Sequence, residues 1–310
     1  METRYHINDQ HVVGVCTAHI KPCRFSETEH FSTYQQAQQC AESFLEHYYG
    51  VSDLTTTGNA LVASHHSLNT QTVDELRDYI HTDMVDGMSQ QHRDMVLRSS
   101  QRAEELHTGQ WRKNKTNNPD PYIIHPYRNA VRLHQWGVHD ADVLTATVLH
   151  DTIEDCANVI TKMHGRSPEK TPNVEKRRLA YEWMTSEYNA RVTTMVAHVT
   201  NPLRKKNLSV EEKRALYQSH VKDAVMKDHG TFAVKLSDFV DNAGNLHELA
   251  SSGDKGRMSS QGMVKKYTPL IPVFNRGVEH YKEHFTDQQR ETMHDHLAFL
   301  SRSMNTVSSN

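Results

Sequence analysis

The sequence has no uncharged apolar run approaching eighteen residues, and its mean hydropathy is −0.74. A bilayer span is excluded on that ground, because roughly 20 predominantly apolar residues are needed to cross the hydrocarbon core. Nor is there an excess of one charge: 35 Lys and Arg stand against 38 Asp and Glu, a formal net charge of −3. Nucleic-acid binders carry a basic face that neutralises phosphates, so no nucleic-acid partner is expected. Cysteine is scarce, and Cys16, Cys23, Cys40 and Cys156 fit reduced thiols or ligands better than a disulfide framework. The opening Met1-Glu2-Thr3-Arg4-Tyr5-His6 has no apolar stretch behind a basic start, which predicts a cytoplasmic protein. Internal repeats and low-complexity tracts are likewise missing.

What is present divides into two parts. Residues 1–70 read as a small α+β amino-terminal module. Ile7, Val12, Val13 and Val15, broken by Gly14 and Pro22, predict a hairpin. Ser32 with Gln35 then opens a helix whose apolar face is Ala37, Ala41, Phe44, Leu45 and Tyr48. Residues 51–70 are aperiodic and polar, a linker. Cys16, Cys23 and His30 leave a zinc site open, although the close ligand pairing of structural zinc motifs is missing. Docking of a protein partner is the default role for this module.

Residues 71–310 read as an all-α helical bundle with its core over 101–278. Helices are predicted over 72–86, 90–107, 127–136, 140–156, 174–199, 209–228 and 232–250, followed by a carboxy-terminal set. Ser209-Val210-Glu211-Glu212 is a capping box, and Gly230 is expected to end a helix in the left-handed conformation.

Histidine is abundant, with 23 residues, so a single one carries little weight. Of the three His-Asp dipeptides, only His150-Asp151 follows a strongly apolar run, Val143, Leu144, Ala146, Val148 and Leu149. A carboxylate on so buried an element needs a partner or a metal, because desolvating it alone costs several kcal/mol. A continuous helix through this point places His150 with Glu154, and Asp151 with Asp155, one turn apart on a single rod. Two further segments offer compatible groups. His125 lies in Pro121-Tyr122-Ile123-Ile124-His125-Pro126, where Pro126 suits a first helical turn. Asp238 and Asn242 share a helix face in Lys235-Leu236-Ser237-Asp238-Phe239-Val240-Asp241-Asn242.

Two imidazoles and two carboxylates make a mixed nitrogen and oxygen shell with open positions. That shell suits manganese or another octahedral divalent ion more than structural zinc. Such an ion lowers the pKa of bound water and polarises a phosphoryl oxygen, which hydrolysis of a phosphate ester requires. The basic cluster at Arg112, Lys113 and Lys115 supplies cations for a phosphorylated small molecule.

Arg112-Lys113, Pro121 to Pro126, His150-Asp151-Thr152-Ile153-Glu154-Asp155 and Lys235-Leu236-Ser237-Asp238 with Asn242 together resemble the HD-superfamily hydrolase domain of RelA/SpoT-type alarmone enzymes. The likeness is greatest to their small stand-alone hydrolases, of the metazoan SpoT-homologue type, and covers roughly Gln101 to Val278. It implies that His125, His150, Asp151 and Asp238 hold one manganese ion. Glu154 and Asp155 would then handle the attacking water or the leaving oxygen, Asn242 the ribose or its phosphate, and Arg112 and Lys113 the substrate's phosphates. The implied reaction removes the 3′-pyrophosphate from guanosine tetra- or pentaphosphate, giving GDP or GTP. Two positions depart from the family pattern: Phe239 and Gly244 stand where cations are usual. The departures leave two alternatives, an HD nucleotidase for another nucleotide (an adenine alarmone, a 3′-phosphorylated nucleotide or NADPH) and a non-catalytic nucleotide sensor.

Overall fold

The computed structural model describes residues 5–7, 13–15, 68–112, 120–203, 207–244, 246 and 254–309. Strands β1 (Tyr5–Ile7) and β2 (Val13–Val15) pair antiparallel, with Tyr5 opposite Val15, as the β-branched pattern predicts. The helix expected after Ser32, the linker before Leu68 and the Cys16, Cys23, His30 set lie outside the described residues. From there onward the described chain is helical. Its elements are α1 (Val73–His81), α2 (Gln90–Leu106), α3 (Ile124–Gln135), α4 (Ala141–Leu149), α5 (Thr152–Asp155) and α6 (Ala157–Met163). After these come α7 (Asn173–Glu187), α8 (Ala190–Val199), α9 (Val210–Val225), α10 (His229–Gly244), α11 (Asp254–Tyr267), α12 (Ile271–His280) and α13 (Asp287–Ser309).

Helix α4 is the centre of the bundle because its sequence leaves almost nothing for water. Every residue except Asp142 is buried, and α2, α3, α8 and α10 all pack on it. Its start is fixed by Asp140, whose Oδ1 accepts from the backbone of Asp142 at 3.0 Å and Val143 at 3.3 Å. Arg191 of α8 pairs with both Asp140 and Asp142, at 2.7 and 2.9 Å, so the exposed end of α4 is tied to its neighbour. Helix α10 is almost as enclosed, although it carries Lys235, Asp238 and Asp241. Burying three charges on one helix is costly unless each has a partner, and all three do. Among the described residues, no helix is long and apolar enough to cross a membrane.

Several local readings hold. The Ser209 box forms in full, Ser209 Oγ accepting from Glu212 N at 3.1 Å and Glu212 Oε2 accepting from Ser209 N at 2.7 Å. Pro126 does sit in the first turn of α3. Others are corrected. The single helix expected over 174–199 is two, because Asn189 takes an extended conformation and caps α8, its Oδ1 accepting from Val192 N at 2.8 Å. The helix expected over 72–86 stops at His81, and that over 232–250 begins earlier, at His229. Gly230 therefore lies inside α10 rather than at a helix end. Glycine is needed there for close approach, since a Cβ would stand 2.6 Å from Met195 Sδ and 3.1 Å from Val143 Cγ2.

Gly277 of α12 shows the same device more severely: a Cβ would meet Phe232 Cε2 at 2.4 Å, on a ring that is fully buried. Gly277→Ala is expected to destabilise the protein by about 1–3 kcal/mol, the usual cost of overpacking a core. Gly262→Ala, on α11 in open space, is expected to stabilise it by about 0.5–1 kcal/mol. Urea unfolding of the two variants checks the contrast, and equal effects would show that the α12 contact is not tight.

His296 of α13 packs on Trp136, ring centres 4.9 Å apart, and burial followed by the nearby Arg132 charge pulls its pKa down to about 3. The unfolded chain binds that proton near pH 6.5 and the folded chain does not. Stability held above pH 6.5 is therefore lost as the pH falls toward 3, at about 1.4 kcal/mol per pH unit for this one group. His296→Phe is expected to flatten the stability profile by that slope between pH 6 and pH 4, read by urea titration at each pH.

Candidate metal centre

Three separate stretches of chain deliver the centre. His125 is the second residue of α3, His150 and Asp151 lie between α4 and α5, and Asp238 lies in α10. The one continuous rod expected over 140–156 is not found. Helix α4 stops at Leu149, Asp151 has ψ −7°, and a four-residue turn, α5, follows before α6 starts at Ala157. One turn of backbone bonding survives, with Asp155 N donating to Asp151 O at 2.9 Å.

The side chains converge on one point. His125 Nε2 lies 3.6 Å from Asp151 Oδ2 and 3.2 Å from Asp238 Oδ1. His150 Nε2 lies 3.2 Å from the same Asp151 oxygen and 3.7 Å from the same Asp238 oxygen. His125, His150 and Asp151 offer ligand atoms that all fall within 4.8 Å of one another. Both imidazoles are oriented from behind. His125 Nδ1 donates to Asp241 Oδ2 at 2.6 Å, and His150 Nδ1 donates to the Thr147 carbonyl at 2.8 Å. With Nδ1 carrying the proton, each Nε2 presents a lone pair to the centre, the arrangement in which histidine ligates a metal. His150 Nε2 is buried and makes no hydrogen bond. Two lone pairs facing two carboxylates repel unless a positive charge stands among them, so the donor set fits a divalent cation.

Burial lowers the pKa of His150, yet the Asp151 and Asp238 carboxylates outweigh it and hold the imidazole well above its ordinary range. Where no cation stands, the two acids draw a proton onto the imidazole in its place, a proton that a divalent ion would displace. Burial raises Asp151 and Asp238, yet His150 and His125 beside the first, and Lys235 and the two histidines beside the second, hold both carboxyls far below theirs. The Asp151 oxygen that faces the histidines is shared with a phenol, and the second oxygen of Asp238 is held by an ammonium. Tyr122 Oη donates to Asp151 Oδ2 at 2.6 Å, and Lys235 Nζ donates to Asp238 Oδ2 at 2.8 Å. A fifth of the Asp151 side chain remains exposed, which leaves the centre one open side.

The other residues singled out in the sequence fall around this core. Asn242 Nδ2 donates to Asp238 Oδ1 at 2.5 Å. Glu154 turns toward the stretch between α8 and α9, its Oε2 accepting from Asn201 N at 3.1 Å and Asn201 Nδ2 at 2.9 Å. Asp155 lies at the surface, where partial burial and the like charges of Asp151 and Glu154 push it up to about 6. Arg112 Nη1 reaches Asp241 Oδ2 at 3.2 Å. Lys113, Lys115 and the basic residues Arg204, Lys205 and Lys206 lie outside the described residues.

The sequence reading gave no role to Asp241, yet this carboxylate braces the site. It is fully buried and receives Arg128 Nε and Arg132 Nη2, both at 3.1 Å, besides Arg112 and His125. Arg132 Nη1 continues the brace to Asn129 Oδ1 at 2.8 Å. The signal was present in two arginines four apart on one helix, Arg128 and Arg132, and in an acid three residues after Asp238 on the same face. Tyr122 was also missed as a partner of Asp151; it stacks on His107 at 4.9 Å.

Fold and centre together define a class: an all-helical protein in which a helix-borne His, a His-Asp pair and a distant Asp meet at one metal-sized point. A curated guanosine-3′,5′-bis(diphosphate) 3′-pyrophosphohydrolase from Aquifex aeolicus (strain VF5) is similar to this chain, 28% identical over 182 residues, or 58% of this chain. The match covers 21% of that protein, so the chain corresponds to about a fifth of the relative's length. No family model matches the sequence. The similarity supports a distant relation to the alarmone hydrolases.

Replacing Asp241 removes the group that orients His125 and leaves two buried guanidinium groups unpaired. Asp241→Asn is expected to weaken divalent-metal binding by about 10- to 100-fold and to lower stability by about 3–5 kcal/mol. Metal titration by calorimetry and thermal unfolding measure the two effects; wild-type metal affinity in a folded variant would remove Asp241 from the site.

Proposed function

We propose that this chain is a metal-dependent phosphohydrolase that removes the 3′-pyrophosphate from guanosine tetra- or pentaphosphate. The observation that carries the chemistry is the pair of imidazoles, each held by Nδ1, whose Nε2 atoms face Asp151 and Asp238. The guanosine substrate rests on the similarity to the Aquifex aeolicus protein and on the family motifs. His125, His150, Asp151 and Asp238 would hold the ion, with manganese favoured by the ligand set. When bound, that ion makes a water acidic enough to attack and polarises a phosphoryl oxygen.

The remaining residues divide the work. Asp155, with its pKa near 6, is largely ionised at neutral pH and still close enough to neutrality to exchange a proton with water or a leaving oxygen. Glu154, fixed by the two Asn201 donors, orients that water. Tyr122 keeps Asp151 turned toward the centre, and Lys235 does the same for Asp238. Asn242 stands beside Asp238 to meet the ribose, and Arg112 lies at the edge of the site for the phosphates.

A second reading, hydrolysis of a different nucleotide, is favoured by Phe239 and Gly244. Phe239 is buried in the core against Phe274, ring centres 4.5 Å apart, and neither position supplies a cation. Anion-exchange analysis of products from guanosine tetraphosphate, its adenine analogue and NADPH separates the readings. Manganese-dependent pyrophosphate release from the guanosine compound is expected; turnover of only another compound would replace it as substrate, and no turnover of any would favour a sensor. The double variant Glu154→Gln, Asp155→Asn is expected to lose at least about 100-fold in kcat while binding manganese normally. Unchanged activity would refute the roles given to both acids.

A further inference from the structure

Helix α9 packs on α10, the helix that carries Asp238, and its Tyr217 has no task in the chemistry described so far. Its ring lies 5.8 Å from Lys235 Nζ, the ammonium that grips Asp238. Burial raises the phenol pKa, and the Asp238, Asp151 and Glu154 carboxylates raise it further, which places Tyr217 within electrostatic reach of the acids on the open side. The hydroxyl is therefore held neutral and remains a hydrogen-bond donor. Among the described residues it makes no hydrogen bond, and it is not sealed from solvent, since Tyr217 is only half-buried.

The ring is held rigidly enough to aim that donor. Lys266 Nζ sits 3.6 Å from the ring centre, a close cation–π contact, and also 3.5 Å from Tyr267 Oη. Tyr267 meets Tyr217 edge to face at 6.2 Å, and Gln218 Nε2 ties α9 to the end of α11 through the Lys266 carbonyl at 3.0 Å. A phenol under an ammonium is a stronger donor, because the cation stabilises charge moving onto the ring. Donors of this kind are worth most toward an anion in a partly desolvated site. The centre needs such donors beside Arg112, since Arg128 and Arg132 are committed to Asp241 and Lys235 to Asp238.

We propose that Tyr217 is a phosphate-contacting residue of this centre, its hydroxyl donating to a non-bridging oxygen of the substrate's pyrophosphate group, with Lys266 holding the ring. The assignment rests on the phosphohydrolase reading for its substrate class, and its test does not depend on turnover. Inorganic pyrophosphate is titrated by calorimetry into manganese-loaded wild type, Tyr217→Phe and Lys266→Met, alongside thermal unfolding and manganese titration of each. Tyr217→Phe keeps the ring and both lysine contacts and removes only the hydroxyl. It is expected to bind pyrophosphate about 10- to 100-fold more weakly, with unfolding temperature and manganese affinity unchanged. Lys266→Met is expected to weaken pyrophosphate in the same direction. For whichever nucleotide wild type hydrolyses, kcat/KM of Tyr217→Phe is expected to fall by a similar factor. Weakened pyrophosphate binding in a protein that hydrolyses no nucleotide would keep this assignment and defeat the activity. Pyrophosphate binding equal to wild type in Tyr217→Phe, or none in wild type itself, would overturn it.

Discussion

The buried carboxylate of Asp241 is the constraint on which the centre depends. Two guanidinium groups from α3, a third from Arg112 and the Nδ1 of His125 all end on its two oxygens. Charge clusters of this kind seldom stabilise a fold more than well-packed apolar side chains would, because each ion must first leave water. What the cluster does supply is direction. It locks α3 to α10, and it fixes the tautomer of His125, so that the opposite ring nitrogen can only face Asp151 and Asp238. The orientation of His125 is thus determined one layer behind the point where the four side chains converge.

The interruption after Leu149 has a comparable effect on the acids. On a straight helix, Glu154 and Asp155 would follow His150 and Asp151 at fixed angles. The short α5 turn instead sends them into different surroundings. Glu154 is held by two nitrogen donors of Asn201, whereas Asp155 stays near the like charges of Asp151 and Glu154 and is pushed up to about 6. Two adjacent acids in unlike environments can take unlike parts in one proton transfer, which two equivalent ones cannot.

Much of this was legible in the sequence, for identifiable reasons. The all-α class follows from apolar periodicity, and the Ser209 cap from a local pattern whose partners lie three residues apart. The four converging groups were found because three unrelated segments each held a metal-compatible side chain in apolar surroundings. The failures have physical causes too. A helix break set by one residue, Asn189, is invisible when the periodicity on both sides is helical. Gly230 was misread because glycine marks either a left-handed turn or a close contact, and only the position of Met195 distinguishes them. The role of Asp241 stayed hidden because Arg132 is 109 residues away in the chain.

Phe239, next to Asp238 in the chain, belongs to the core. Its ring stacks on Phe274 and meets Tyr267 edge to face at 5.7 Å, so this position is filled by packing that joins α10 to α12 and to the end of α11. A cation placed there would have to lie against the two aromatic rings of Phe274 and Tyr267. Exchange of this side chain for arginine or lysine is therefore not a single evolutionary step, because the rings of α11 and α12 must change with it. A lineage that has made such a core can bring a cation close to Asp238 only from other elements, and this position becomes as slow to drift as its hydrophobic interior.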